Sequence, residues 1–252
     1  MNDYRSKKLF IFDLDGTLAL SKSPIDDEMS TLLRKLLDTK KVLVLSGGAW
    51  QQLQTQLVSH LTASADELAN LTIATGSGSA MYRFENSTPL AIYQELISEP
   101  LKKKVFEAFE YATTHSEYLP PEETFGGILE DRGTEITFSA LGQDAPLSLK
   151  ETWDPDHTKR TEIIKQLLEK IPELEIRIGG TTSIDVTKKG IDKAFGIQKA
   201  SEILGISTDG MVYIGDALFP GGNDEPVRKT GVECVEVRTV EDTKTFIRSL
   251  VE

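Results

Sequence analysis

The sequence contains one cysteine and three histidines, and it has no apolar run long enough to cross a lipid bilayer. A single cysteine excludes an intrachain disulfide, and Cys234 lies in the apolar run VECVEV, where a small buried residue is expected. His60, His115 and His157 are widely spaced and show no metal-ligand pattern. The N-terminal segment also lacks an apolar stretch followed by a small-residue cleavage site. We therefore expect a cytoplasmic protein with no membrane partner.

Basic residues are also scarce relative to acidic ones. The chain has 28 lysines and arginines against 40 aspartates and glutamates, which gives a formal net charge of −12. A surface of this sign repels a phosphate backbone, so we expect no nucleic-acid partner. A small anionic substrate is not excluded, because a local pocket with a metal ion, a lysine and helix N-termini binds phosphate inside an acidic protein.

The two ends of the chain alternate short apolar runs with amphipathic stretches, a pattern that predicts an α/β domain with a parallel sheet. Strands are predicted at KLFIFD, KVLVLSGG and LTIATGSG, and again, after a helix from Lys193 to Leu204, at MVYIGD and ECVEV. A final helix is predicted from Thr239 to Val251. We therefore assign residues 1–84 and 189–252 to one Rossmann-like core.

Residues 85–188 show a different pattern and are predicted to form an inserted α+β domain. A helix is indicated from Leu101 to Thr113, and alternating polar and apolar residues predict strands at GGILED, TEITFSAL, LEIRIGG and SIDVTK. This alternation is typical of an antiparallel sheet with one face in water. Because the first pattern resumes afterwards, the domain is expected to be an insertion in the core.

Two aspartates follow the first predicted strand, in the sequence FDLDGTL. Asp13 ends the strand and Asp15 comes two residues later, so both side chains can project into the crevice beyond the strand's carboxyl end, where open α/β sheets bind ligands. One of them can attack a phosphoryl group while the other transfers a proton. Taken alone, DLDG is better explained as an ordinary aspartate-rich turn.

Further polar residues follow the other predicted strands. LSGG places Ser46 after the second strand, where its hydroxyl and the amide of Gly47 can bond phosphate oxygens. Lys193 begins a helix after the insertion, and YIGDALFPGGND puts Asp216 at a third strand end with Asp224 later in the loop. Each signal is weak alone, since serine turns and surface lysines are common. Together, the strand-end acidic residues and the serine suit magnesium and phosphate.

These motifs, in this order, resemble those of the haloacid dehalogenase (HAD) superfamily, whose four motifs match DLDGT, the serine of LSGG, Lys193 and GDALFPGGND. The resemblance implies a phosphotransferase with Asp13 as the nucleophile that forms an aspartyl-phosphate and Asp15 as the acid/base. It also implies that Ser46, Gly47 and Lys193 bind the transferred phosphate.

The same resemblance implies a magnesium cofactor. Its ligands would be the Asp13 carboxylate, the Asp15 backbone carbonyl and Asp216. Asp224 would support the site directly or through water, and Asn223 would assist it. Hard oxygen ligands completed by water molecules are what magnesium prefers.

Over nearly the whole chain the sequence is similar to the eukaryotic-type phosphomannomutase branch, with its inserted type IIB cap. The loop GDALFPGGND and the segment GGTTSIDVTKKGIDK carry this similarity. It implies that Arg132, Ser183 and Asp185 of the cap contact the sugar phosphate. Two further arginines of that branch correspond, in an ungapped alignment, to Phe125 and Gln143, so both positive charges are missing here.

The missing arginines favour hydrolysis over isomerisation. A mutase has to hold a bisphosphorylated intermediate and bind either phosphate in its cap, whereas a phosphatase only has to admit water. Arg177, Lys188 and Lys189 are the candidates to replace the lost charges. A surface ion pair explains Arg132 as well as a phosphate contact does.

We therefore predict a magnesium-dependent phosphohydrolase acting on a sugar phosphate, with the core carrying the chemistry and the cap selecting the sugar. A phosphomannomutase or phosphoglucomutase, which interconverts hexose 6- and 1-phosphates, is the close alternative, and an inactive sugar-phosphate binding module is the second. The related mutases pair through their caps. The apolar face of the predicted cap helix is compatible with such a homodimer and also with a helix that covers its own sheet.

Overall fold

A computed structural model of the chain describes residues 4–115, 117 and 123–251. It divides into two units, of which unit 1 comprises Met1–Gln94 with Ile191–Glu252 and unit 2 comprises Glu95–Gly190. None of the helices in the described part combines the length and apolar character needed to cross a membrane.

The secondary structure alternates strands and helices at both ends of the chain. The strands are β1 (Leu9–Phe12), β2 (Lys41–Leu45), β3 (Leu71–Thr75), β4 (Ala80–Glu85), β5 (Thr88–Gln94), β6 (Leu129–Asp131), β7 (Glu135–Ser139), β8 (Leu174–Ile178), β9 (Ser183–Lys188), β10 (Met211–Gly215) and β11 (Glu233–Glu236). The helices are α1 (Asp27–Leu37), α2 (Trp50–Gln56), α3 (Ala65–Leu68), α4 (Glu99–His115), α5 (Leu147–Trp153), α6 (Thr158–Lys170), α7 (Lys193–Leu204) and α8 (Val240–Val251).

Unit 1 is built on a seven-stranded sheet in the order β11-β10-β1-β2-β3-β4-β5. The pairings from β11 to β3 are all parallel. Successive residues of β1 enter two separate cores, since Phe10 and Phe12 pack on one side while Leu9 and Ile11 pack on the other. Such continuous burial is typical of a parallel sheet covered by helices on both faces. The predicted Rossmann-like core is confirmed.

An antiparallel hairpin extends this sheet beyond the predicted core. Strand β4 pairs antiparallel with β3, and β5 pairs antiparallel with β4. The expected boundary after residue 84 falls inside this hairpin, so the first part of unit 1 continues to Gln94. No strand was predicted at β4 or β5, which is why the expected boundary came too early.

Unit 2 is an α+β domain on a four-stranded antiparallel sheet in the order β6-β7-β9-β8, as predicted. Its core residues include Ile136 and Phe138 of β7 and Ile184 of β9, which pack against α4 and α6. Helix α4 buries its apolar face in this core, through residues such as Phe109. The apolar face of α4 therefore gives no support for pairing two copies of the chain.

Cys234 differs from its expectation of full burial. It is only partly buried, on β11, although it packs against the core of unit 1. The reason is topological, because β11 is the edge strand of the sheet and is covered less completely than its neighbours.

A buried ion pair fixes the turn that leads into β9. Arg160 of α6 and Asp154 are almost fully buried, and the Arg160 Nε donates to the Asp154 carboxylate at 2.7 Å. The same guanidinium donates to the carbonyl oxygen of Gly180, in the turn between β8 and β9. Ser183 and Asp185, two predicted substrate contacts, follow this turn.

We expect the substitution Asp154→Ala to lower the free energy of unfolding by about 3–5 kcal/mol, because it leaves the Arg160 guanidinium buried without a counter-charge. Urea denaturation followed by the fluorescence of the adjacent Trp153 measures this change. The matched control is Glu162→Ala on the same helix, which breaks the exposed pair with Lys165 and should leave stability nearly unchanged. Equal effects of both substitutions would contradict a special role of the buried pair.

Candidate active site

Three neighbouring strands end at the same edge of the unit 1 sheet, and each is followed by a predicted site residue. Strand β1 lies between β2 and β10, with all three parallel. Asp13 follows β1, Ser46 follows β2 and Asp216 follows β10. The Asp13 backbone N–H donates to the Ile214 carbonyl at 3.0 Å, so the ladder extends to the first site residue. The carboxyl ends of these strands therefore gather the predicted residues in one place.

Lys193 is buried between two carboxylates at this edge. Its Nζ lies 2.6 Å from Asp13 Oδ1 and donates a second hydrogen bond to Asp224 Oδ1. The side chains of Lys193, Asp13 and Asp224 are 1%, 5% and 0% exposed. Lys193 is the first residue of α7, whose N-cap Asp192 accepts a hydrogen bond from Phe195 N. The helix start thus fixes the position from which Lys193 reaches both partners.

Both oxygens of Asp224 are occupied by donors from unit 1. Oδ1 accepts from Lys193 and, at 2.6 Å, from the Tyr213 hydroxyl, while Oδ2 accepts from the Ala217 backbone N–H at 3.1 Å. Tyr213 lies on β10 and is fully buried. Asp224 therefore holds Lys193 in place beside Asp13.

Three carboxylates in this cluster fit a divalent cation. One oxygen each from Asp13, Asp216 and Asp224 lies within 4.8 Å of the others, and Asp216 is only half-buried. With one ammonium group beside three carboxylates, two negative charges are left uncompensated, which matches one divalent ion. The Thr17 hydroxyl orients Asp216 by donating to Oδ1 at 3.2 Å. An all-oxygen donor set of this kind is the one that magnesium prefers.

Gly16 makes room for the Asp216 carboxylate. Its φ is +84°, a conformation that side-chain-bearing residues rarely adopt, and a Cβ at this position would lie 2.4 Å from Asp216 Oδ2. The glycine of DLDGT is thus required by the geometry of the cluster.

Burial sets the protonation behaviour of the cluster. It raises the pKa of Asp13 to about 6, although the Lys193 ammonium acts in the opposite direction. Burial by itself lowers the pKa of Lys193, but the carboxylates of Asp13 and Asp224 outweigh it and leave that pKa raised. Burial also raises the pKa of Tyr213 well above its ordinary value. Lys193 is therefore charged and Tyr213 protonated at neutral pH.

Two glycines let α7 approach the loop after β3. A Cβ on Gly78 would lie 2.3 Å from the Gly196 Cα, and a Cβ on Gly196 would meet Leu45 and the Ser77 carbonyl at under 3.0 Å. This close approach sets the depth at which Lys193 enters the cluster. The glycine-rich sequence GSGS thus has a packing role that the sequence did not reveal.

Ser46 and Gly47 lie at the end of β2, as predicted. Ser46 is 3% exposed, and its hydroxyl accepts a hydrogen bond from Gly48 N at 3.1 Å. Gly47 is exposed. A serine hydroxyl followed by an accessible backbone can bind phosphate oxygens. Their role as phosphate ligands stays a prediction.

The hydrogen-bond donors to the Asp15 carboxylate lie outside the three-carboxylate cluster. It accepts hydrogen bonds from the Lys22 backbone N–H at 2.7 Å, from Gln52 Nε2 at 3.0 Å and from Gln56 Nε2 at 3.3 Å. Gln52 and Gln56 were not predicted from the sequence. The signal was present in WQQLQTQ, because residues four apart lie on one face of a helix.

Asn223 is exposed in the loop before Asp224. This position neither adds a contact to the buried cluster nor removes one. Its assisting role at the metal stays a prediction.

The polar face of the unit 2 sheet carries the predicted substrate contacts. Thr137 lies directly opposite Asp185 across the β7–β9 pairing, and its hydroxyl donates to Asp185 Oδ1 at 2.9 Å. Burial raises the pKa of Asp185. Ser183 begins the same strand and is half-buried.

Arg132 is held by two carboxylates on the same polar face. Its guanidinium contacts Glu130 Oε2 at 2.7 Å and Glu135 Oε1 at 3.0 Å. Glu130 also accepts a hydrogen bond from Gln143 Nε2 at 2.7 Å. Phe125 stands at another position where the family resemblance implies an arginine, and its side chain is exposed. Of the three arginines that the resemblance implies, only Arg132 is present, and Glu130 and Glu135 of unit 2 neutralise its charge.

Folding raises the pKa of Asp13 from 3.8 to about 6 and so favours its protonated form. We therefore expect the metal-free wild-type protein to lose stability relative to Asp13→Asn as pH rises from 4 through 6. Asp13→Asn removes this charge, so in EDTA at pH 8 it should raise the free energy of unfolding by up to about 3 kcal/mol. The gain should vanish towards pH 4. Urea denaturation at several pH values measures it.

The matched control for this experiment is Asp66→Asn, which changes an exposed aspartate of α3. It measures the effect of removing one exposed carboxylate outside the buried cluster. A parallel pH dependence for wild type and Asp13→Asn would show that Asp13 titrates as an ordinary aspartate.

Comparison with known proteins places this geometry in a family. Residues 29–252 match the sequence model of the eukaryotic phosphomannomutases. A probable phosphomannomutase of Caenorhabditis elegans is 27% identical over 258 residues, covering 98% of this chain and 96% of that protein. A phosphomannomutase of Triticum aestivum is 25% identical over 226 residues, covering 87% and 85%.

Solved structures with the same fold include two phosphatases. The IMP-nucleotidase of Plasmodium falciparum superposes with a TM-score of 0.71 at 16% identity, covering 98% of this chain and 62% of that one. A trehalose-6-phosphate phosphatase of Aspergillus fumigatus gives 0.61 at 17% identity, covering 98% and 94%. These likenesses confirm the predicted fold. Since the family model spans most of the chain, the protein belongs to the eukaryotic phosphomannomutase family and is an enzyme of the HAD phosphatase or phosphomutase type.

Proposed function

We propose that the protein is a magnesium-dependent phosphohydrolase that cleaves a sugar phosphate through an aspartyl-phosphate on Asp13. The observation that carries this proposal is the buried Asp13–Lys193 pair beside Asp216 and Asp224. Phosphoryl transfer needs a nucleophile, a proton shuttle and positive charge on the phosphoryl oxygens, and these residues with Asp15 supply all three. We further propose that it acts in the cytoplasm and has no nucleic-acid partner, given its net charge of −12.

In the first step an Asp13 oxygen attacks phosphorus, and the ester oxygen leaves with a proton from Asp15. In the second step Asp15 takes a proton from water as the water oxygen bonds to phosphorus and the Asp13 carboxylate departs. Lys193 compensates negative charge beside Asp13, while Ser46 and the Gly47 amide bind the phosphoryl oxygens.

Asp13, Asp216 and the backbone carbonyl of Asp15 would hold a magnesium ion, which would supply further positive charge to the phosphoryl oxygens when bound. Asp224 would support this site indirectly, since its oxygens already accept hydrogen bonds from Lys193, Tyr213 and Ala217.

Hydrolysis is favoured over isomerisation by the charges of unit 2. A mutase has to hold a second phosphate, which calls for unpaired cations. Two of the three expected replacements for the missing arginines form ion pairs within unit 2, namely Arg177 with Glu175 at 3.5 Å and Lys188 with Glu95 at 2.6 Å. The third, Lys189, keeps its charge and donates a hydrogen bond to the Pro172 carbonyl. With Arg132 also neutralised, the polar face suits the hydroxyl groups of a sugar better than a second phosphate.

A phosphomannomutase is the second candidate, and family membership over residues 29–252 is the observation that favours it. A silent sugar-phosphate binding module is disfavoured, because binding alone requires neither a nucleophile nor an adjacent proton shuttle.

The deciding experiment is a phosphorus NMR time course with mannose and glucose 1- and 6-phosphates, magnesium and a trace of hexose bisphosphate. We expect inorganic phosphate to accumulate, and Asp13→Asn to abolish turnover while sparing the fold. The matched control Asp66→Asn should retain full turnover. Accumulation of the isomeric sugar phosphate would establish the mutase, and unchanged turnover by Asp13→Asn would refute the nucleophile.

Removing the two carboxylates that hold Arg132 should create a site for a second phosphate. We expect the double substitution Glu130→Gln with Glu135→Gln to tighten glucose 1,6-bisphosphate binding at least about tenfold, since a hydrogen bond to a charged group contributes about 1.5–3 kcal/mol. Calorimetric titration in an Asp13→Asn background avoids turnover. Exposed Glu169→Gln is the matched control. Unchanged affinity would mean that Arg132 does not meet the distal phosphate.

A further inference from the structure

Helix α2 presents two glutamine side chains to Asp15. Gln52 Nε2 donates to Asp15 Oδ2 at 3.0 Å, and Gln56 Nε2 donates to Oδ1 at 3.3 Å. The spacing of four residues places both on one helix face. Together with the Lys22 N–H, they supply donors to both carboxylate oxygens. The proposed acid/base thus has its orientation set by α2.

Each glutamine side chain also has a second contact that holds it in place. Gln56 is 4% exposed, and its Nε2 also donates to the Ser23 carbonyl at 2.9 Å, which settles which way the amide faces. Gln52 packs its Oε1 over Gly48, where a Cβ would lie only 2.3 Å away. A side chain at position 48 would therefore displace Gln52. The two amides are built into the fold and do not merely lie on the helix surface.

Gln56 also carries a buried acceptor without a partner. Its Oε1 makes no hydrogen bond to any described residue, whereas buried polar atoms in proteins are nearly always satisfied. The Ser23 carbonyl holds the amide in this orientation, so Gln56 presents its N–H, and not its Oε1, to Asp15.

The Asp15 carboxylate borders an open cavity of unit 1. The cavity has a volume of about 630 Å³. Besides Asp15, it is lined by the hydroxyl, amide and ammonium-bearing residues Ser21, Lys22, Gln51, Gln52, Thr55 and Gln56. A leaving group with hydroxyls can therefore reach Asp15 from this side.

We propose that Gln52 and Gln56 are positioning residues that hold the Asp15 carboxyl group in the orientation needed for proton transfer. The proposal rests on the proposed function. In the first step the Asp15 proton passes to the leaving oxygen as the P–O ester bond breaks and the Asp13–phosphorus bond forms. In the second step Asp15 recovers a proton from the attacking water as the water oxygen bonds to phosphorus and the Asp13–phosphorus bond breaks.

The test uses leaving groups that differ in their need for a proton. The p-nitrophenolate ion departs readily without protonation, whereas the more basic phenolate requires an acid. We expect Gln52→Met to lower kcat/KM by less than about twofold for p-nitrophenyl phosphate and by about tenfold or more for phenyl phosphate, since general acid catalysis contributes about 10²–10⁴-fold. Asp15→Asn should show the same selectivity, more strongly.

Control variants distinguish a positioning role of Gln52 and Gln56 from a purely structural one. Gln54→Met, an exposed change on the same helix, should leave both rates unchanged. Gln56→Met is the second variant, and circular dichroism verifies that each protein is folded. Because Gln52 is less buried than Gln56, Gln52→Met decides the matter if the buried variant fails to fold.

Equal losses of Gln52→Met on both esters would overturn this inference, because they indicate a structural role, and would leave the proposed function standing. The proposed function fails separately, and this inference with it, if wild type releases no inorganic phosphate from any of the sugar phosphates in the NMR experiment or if Asp13→Asn still hydrolyses the aryl esters.

Discussion

The structure of the active site depends on one buried ammonium group. Lys193 lies between Asp13 and Asp224 with almost no exposure to solvent, and removing any of these charges from water is costly unless the partners are held in good geometry. The surrounding fold supplies that geometry. Tyr213 and the Ala217 amide fix Asp224, and the Gly78–Gly196 approach fixes α7. A hydrophobic replacement would be easier to bury, so the charges are best explained by chemistry that requires them.

Much of this site could be predicted from the sequence, because parallel strands align their carboxyl ends. A polar residue directly after an apolar run then has a defined position, which is why Asp13, Ser46 and Asp216 were found. The role of Asp224 as an anchor for Lys193 could not be predicted. It depends on side-chain directions and on a tyrosine inside a strand that resembles any core residue. The role of Gln52 and Gln56 was not predicted for a similar reason, since glutamine on a short helix is usually a surface residue.

For unit 2 as well, the sequence predicted the sheet but not the partners of single side chains. Its antiparallel sheet was predicted from alternating residues, whereas β4 and β5 of unit 1 were not predicted, so the boundary was misplaced. The family resemblance identified Arg132 as a phosphate contact, and Arg177, Lys188 and Lys189 were the candidates to replace the missing arginines. The sequence does not reveal that the first three have carboxylate partners, or that Lys189 donates to a carbonyl oxygen. A cation that is already paired with a carboxylate binds a second anion less strongly than an unpaired cation does, so the partner of each cation is more informative than the number of cations.

Family membership and a preference for hydrolysis are compatible on physical grounds. In the proposed mechanism a phosphatase and a mutase share the first step, in which Asp13 would take the phosphoryl group, and differ in the second, where either water or a sugar hydroxyl accepts it. The first step would depend on the buried cluster of unit 1, which is intact. In a mutase the second step requires the enzyme to retain and reorient a bisphosphate, and that retention depends mainly on cations outside the cluster. Neutralising Arg132 with Glu130 and Glu135 would therefore weaken the mutase step alone, so a member of this family could act as a hydrolase, as we propose, without any change in the carboxylates of the cluster.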